Sequence, residues 1–214
     1  MPRDGDEGRR VIMEPVGFVN FPAYTEVRCL MMPYVQGEPE SVPSEYHGYS
    51  DIIASTFICK GDVGYLTIDE STVRSGKPHR GQRAKTARAL HTEAGMQRGL
   101  YAWGPGPVWG GRPKVTLEPD VQVLLANSLD RSCALWDATH ADTTDDGDIG
   151  HEADRYPYND AVMMLAGEVF RIGILTPHES LPVRDDCKRQ FLRIVGSGVY
   201  GREPYFTRNP LMPL

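Results

Sequence analysis

Apolar residues in this chain come in short runs separated by clusters of glycine, proline, asparagine and aspartate. Runs at 11–13, 27–32, 52–59, 63–68, 121–126, 133–136, 162–165, 169–174 and 191–195 are rich in β-branched, leucine and aromatic residues. Apolar runs of this length, bounded by turn residues, predict β-strands. Prolines at 15, 22, 33, 39 and 43 exclude long helices from the early part. A few short helices are expected in the first third, with a candidate around 83–89. Lys60-Gly61-Asp62, between the runs at 52–59 and 63–68, reads as a hairpin turn. Turns at 127–131 and 166–168 divide the later runs. Strands spaced in this way predict an all-β sandwich or barrel with a few short helices. The length favours one domain over 1–214, with a flexible polar lead-in at 1–10.

The segments between strands differ in character. Residues 95–119, with YAWGPGPVWGGRP at their centre, read as a long irregular loop, and such a loop in a compact domain is usually functional. Trp103 and Trp109 make it a candidate lid. Trp136, inside an apolar run, is expected to be core packing. The basic stretch SGKPHRGQRAKTAR at 75–88 reads as a solvated face. The acidic loop at 142–148, DTTDDGD, lacks the spacing and closing glutamate of an EF-hand, so it reads as solvated loop. The tail from 200 to 214 holds three prolines and no periodicity.

Composition removes several function classes. The net charge is -6 with pI near 5.5, which argues against a broad electrostatic grip on nucleic acid. The first residues, MPRDGDEGRR, hold no hydrophobic signal region, and no apolar run approaches a membrane span. A cytoplasmic protein is therefore expected. Cys29, Cys59, Cys133 and Cys187 show no metal-type spacing, which predicts buried free thiols.

The chemistry concentrates in the stretch 166–195, AGEVFRIGILTPHESLPVRDDCKRQFLRIV. A strand-like run ends at Thr176-Pro177, and His178 follows at once. The last run carries Arg189 and Arg193, which on a strand point to the same side. Two arginines on one interior face would await an anion, whereas two on the outer face would be solvated. Upstream, His91-Thr92-Glu93 and His140-Ala141-Asp142 are both H-x-acid triplets. In extended backbone, residues i and i+2 share a face, so each triplet offers one metal ion an imidazole and a carboxylate. One further histidine completes a two-histidine, one-carboxylate facial triad with open positions on ferrous iron. Glu179, adjacent to His178, should point to the opposite face.

The combination of an H-x-[DE] triplet, four strand runs, His178 and then Arg189 resembles the Fe(II)/2-oxoglutarate-dependent oxygenases. That family folds as a double-stranded β-helix, or jelly roll. Its H-x-[DE] triplet lies near the second core strand, its distal histidine near the seventh, and a basic residue for 2-oxoglutarate on the eighth. Four runs separate Glu93 from His178, as the pattern requires, so the resemblance implies His91, Glu93 and His178 as the metal ligands. His140 and Asp142 remain the alternative first pair, with only two runs before His178. Arg189 stands eleven residues past His178, similar to the family's cosubstrate arginine, and Arg193 could bind the same carboxylate or an acidic substrate. Glutamate stands where aspartate is commoner. The implied activity consumes 2-oxoglutarate and oxygen, releases succinate and carbon dioxide, and hydroxylates an unactivated C–H bond of a small molecule. A cupin-like metalloenzyme that does not use 2-oxoglutarate, and a metal-free β-barrel binding protein, are the other readings of the same residues. The resemblance covers about 89 to 195.

Overall fold

The computed structural model describes residues 13–78, 88–93, 122–140, 147–196 and 207–212. The lead-in at 1–10, nearly all of the helix expected at 83–89, the whole loop at 95–119 with Trp103 and Trp109, most of the acidic loop including Asp142, and much of the basic stretch and of the tail lie outside the described residues. Among the described residues there are ten strands: β1 (Met13–Phe18), β2 (Arg28–Val35), β3 (Val63–Val73), β4 (Leu90–His91), β5 (Gln122–Asn127), β6 (Cys133–Leu135), β7 (Val162–Met163), β8 (Glu168–Gly173), β9 (His178–Ser180) and β10 (Cys187–Val195). They form a six-stranded sheet in the order β1-β8-β5-β10-β3-β2 and a four-stranded sheet in the order β4-β9-β6-β7. Every ladder is antiparallel. Among the described residues no ladder joins the two sheets, so the all-β prediction holds as two sheets and not as a closed barrel.

The sheets pack face to face. One buried cluster draws Val123, Leu125, Ile172 and Val195 from the large sheet and Cys133 and Leu135 from the small one. The opposite face of the large sheet buries Leu124, Ala126, Leu192 and Ile194 against Tyr46, Tyr49, Ile52 and Ile53. The central strands β5 and β10 are thus covered on both sides, which is why their apolar runs are nearly continuous rather than alternating. Pro15 and Pro33 lie within β1 and β2, the two edge strands, where a missing backbone N–H costs no ladder bond.

One predicted strand is a helix. Residues 52–59 were expected to be extended, but the chain forms α1 (Ser50–Ser55) after a 3-10 turn at Ser44–Tyr49. Tyr46 and Tyr49 of the turn and Ile53 of α1 are all buried on one inner face, a three-and-four spacing that outweighs the β preference of the Ile52-Ile53 pair. Lys60-Gly61-Asp62 still turns the chain, with Gly61 at φ +87°. The turn leads into β3 from the helix, and β3 pairs with β2 and β10, so it is no hairpin with a strand at 52–59. No helix among the described residues is long and apolar enough to cross a membrane.

Candidate metal centre

Strand pairing brings the two histidines together. In the short β4–β9 ladder His91 stands opposite His178, and Leu90 stands opposite Glu179. Alternation turns both imidazoles inward, toward the large sheet, and sends Leu90 and Glu179 outward. The ring centroids of His91 and His178 are 3.9 Å apart. Glu93 lies two residues past His91, fixed by a bond from its backbone N–H to the carbonyl of Ile174 at 2.8 Å. Its Oε1 is 3.5 Å from Nε2 of His178. The potential ligand atoms of His91, Glu93 and His178 all lie within 4.8 Å of one another, and all three side chains are buried.

Both rings are oriented by the backbone. Nδ1 of His91 sits 2.8 Å from the carbonyl of Ala89, and Nδ1 of His178 sits 3.0 Å from the carbonyl of Thr176. A carbonyl only accepts, so Nδ1 is the donor in each ring, which leaves Nε2 as the atom directed to a metal. This arrangement prepares imidazoles to bind a metal. Two neutral nitrogens and one carboxylate oxygen form a donor set that suits a divalent transition metal.

Glu179 points the other way, as alternation predicts. It accepts from Arg88 at 2.9 and 2.6 Å and from Tyr158 at 3.2 Å, on the outer face of the small sheet. Trp136 packs in that outer cluster and donates from Nε1 to the carbonyl of Pro157. His140 is buried elsewhere, its Nδ1 2.6 Å from the hydroxyl of Tyr156 and its Nε2 3.8 Å from Glu152. Among the described residues it joins no metal-binding group. His151 is exposed beside Glu152, and Nε2 of His47 meets the carbonyl of Val42.

A cavity of about 270 Å³ opens at the three ligand residues, and both arginines of β10 line it. The interior orientation is therefore the correct one. Leu30, Leu125 and Phe191 supply its apolar wall. The two arginines differ in their partners. Arg193 donates from Nη1 to Oε1 of Glu93 at 2.8 Å. Arg189 is 1 % exposed, and its Nη1 donates to the hydroxyl of Ser180 at 2.9 Å. Its Nε finds no hydrogen-bond partner, and Asp69, which also lines the cavity, acts on it only through space, with no hydrogen bond or ion pair between them among the described residues. Loss of solvent pushes its pKa below the ordinary arginine value. A buried guanidinium with a neutral partner is costly unless an anion completes it.

Sequence reasoning missed Ser180 and Cys133 at this site. Both line the cavity and face each other across the β6–β9 ladder. Ser180 was findable, because it lies two residues past His178 on the same strand face. The expectation of four buried thiols needs correction: Cys29 and Cys133 are buried, Cys187 is half-buried and Cys59 is exposed. Cys59 precedes the glycine turn, beyond the last residue of α1 that packs on the sheet. No protein-family model matches the chain, and no curated protein or solved structure matches it significantly.

Proposed function

We propose that this protein is a mononuclear non-haem iron oxygenase that uses 2-oxoglutarate and acts on a small molecule. One observation carries the reading. A buried His-Glu-His group shares a cavity with a buried arginine that lacks an acidic partner among the described residues. The strand order supports it. With β3 as the first of eight core strands, the strands divide into β3, β5, β8 and β10 in one sheet and β4, β6, β7 and β9 in the other. That division agrees with a jelly roll. His91 then lies on the second core strand, His178 on the seventh, and Arg189 and Arg193 on the eighth.

In this reading Nε2 of His91, Nε2 of His178 and the carboxylate of Glu93 hold ferrous iron. Arg189 receives the far carboxylate of 2-oxoglutarate, a planar fork meeting a planar acid. Iron and the keto acid, with dioxygen as the oxidant, would supply the hydroxylation of an unactivated C–H bond, one oxygen atom going to the product and the other to succinate, with carbon dioxide released. The apolar wall holds the substrate and excludes water.

Anaerobic titration of the metal-free protein with Fe(II) and then 2-oxoglutarate tests this directly. A weak visible band that needs both components and vanishes in His178→Ala is expected. Tight iron binding without a band on adding 2-oxoglutarate would redirect the reading to a cupin-like metalloenzyme. Absence of iron binding would sink it.

A further inference from the structure

The two arginines of β10 face one cavity, yet the structure divides them. Register places Arg193 beside Thr67 and Leu125, and Arg189 two repeats away beside Ser71. From the first position Arg193 reaches across to the small-sheet side and bonds Oε1 of Glu93 at 2.8 Å. The same oxygen lies 3.5 Å from Nε2 of His178. Among the described residues Arg189 donates only to the hydroxyl of Ser180. One arginine is thus committed to the carboxylate ligand of the metal group, and the other is left for an incoming acid.

We infer that Arg193 is a positioning residue for the metal centre, holding the Glu93 carboxylate toward His178, and that Arg189 alone receives the acidic ligand. The inference rests on the metal reading of this site. Its physical reason lies in the ligand itself. Glutamate carries one more rotatable bond than aspartate, and Glu93 lies beyond the end of a two-residue strand. Without a clamp its carboxylate samples orientations that do not face the histidines. A charge-assisted bond to a guanidinium removes that freedom, and a carboxylate oxygen has lone pairs enough to serve the guanidinium and a metal together. Repulsion between the guanidinium and a divalent cation works in the opposite sense. The sign of the effect on metal affinity therefore decides which term governs.

The experiment uses the full chain and Co(II), whose visible spectrum reports coordination geometry, followed by 2-oxoglutarate at saturating Co(II). Arg193→Gln is expected to weaken Co(II) binding about 10–100-fold, the usual cost of losing a partner behind a ligand, and to alter the Co(II) spectrum. It should leave 2-oxoglutarate affinity at saturating Co(II) unchanged. Arg189→Gln should do the reverse. Because Arg193→Gln strips a buried carboxylate of its countercharge, Arg193→Lys serves as the second variant, with Co(II) affinity between wild type and Arg193→Gln. In a Glu93→Ala background, Arg193→Gln should cause no further loss. Co(II) binding that is unchanged or tighter in Arg193→Gln, or a loss confined to 2-oxoglutarate, overturns the assignment while the metal reading stands. A wild-type chain that binds no Co(II) overturns both.

Discussion

His91 and His178 occupy directly opposed positions of the β4–β9 ladder, so 86 residues of intervening chain are reduced to a ring separation of 3.9 Å. The backbone carbonyls of Ala89 and Thr176 then set both rings in one tautomer. Either His91→Ala or His178→Ala should lower divalent-metal affinity by more than the ~10–100-fold that an outer partner costs. Isothermal titration with Co(II) or Mn(II) measures this. Equal affinity in wild type and His178→Ala would place the metal elsewhere.

Gly147 braces the same strand. Its φ is +75°, and a Cβ there would lie 2.3 Å from the carbonyl oxygen of Thr92, the residue between His91 and Glu93. Thr92 also donates its backbone N–H to the carbonyl of Gly147 at 2.9 Å. Gly147→Ala combines backbone strain with a clash against backbone, and should cost about 1–3 kcal/mol of stability. The displaced Thr92 carries its two neighbours with it, so metal affinity should fall as well. Thermal unfolding and a metal titration on one preparation would check both.

Arg189 trades stability for binding. Replacing a buried charge that lacks an acid partner with an apolar side chain of similar length relieves desolvation. In the absence of ligand, Arg189→Met should melt higher than wild type, by about 2–4 °C per kcal/mol gained in a chain of this size. The same variant should lose all stabilisation by added 2-oxoglutarate. A lower melting point in Arg189→Met would mean that the arginine is already compensated.

Glu70 gives the fold a predictable acid sensitivity. Burial works to raise its pKa, but bonds from the Thr25 backbone, Gln190 and Tyr49 outweigh it and hold the carboxylate below its ordinary range. A depressed folded-state pKa contributes stability that is complete above the unfolded value and lost as pH falls through the folded value. Glu70→Gln should therefore be less stable than wild type at neutral pH. The gap should narrow as pH drops below roughly 4.3, the ordinary glutamate value. Urea unfolding across that range provides the comparison, and a gap that stays constant would argue against the linkage.

The thiols should separate by reactivity. Burial pushes Cys29 up to about 12 and Cys133 up to about 11, whereas Cys59 is exposed. Since the thiolate is the nucleophile, alkylation of native protein at mildly alkaline pH should label Cys59 and spare Cys29 and Cys133. Peptide mapping after iodoacetamide would show the order. Modification of Cys133 in the native protein would indicate that the cavity opens to reagents.

Local pattern carried much of this protein. The strand runs at 63–68, 121–126, 133–136 and 169–174 all became strands because their apolar residues suit a covered sheet. The shared face of Arg189 and Arg193 follows from the two-residue period of β10, and the opposition of Glu179 to His178 follows from the same rule in β9, while packing alone decided that the arginine face is the interior one. The run at 52–59 misled because β-branched residues prefer strands, while its helix is held by tertiary packing of Tyr46, Tyr49 and Ile53 on the large sheet. Register was the larger gap. Which residue of β4 faces His178, whether Arg193 meets Glu93, and how Ser180 comes under Arg189 all depend on pairings across 85 to 100 residues or between sheets. Sequence fixes which face a side chain takes on its own strand, because that is set by neighbouring backbone geometry. Only the packed sheets decide which side chains share a cavity, because that depends on the sum of all the burial in the core.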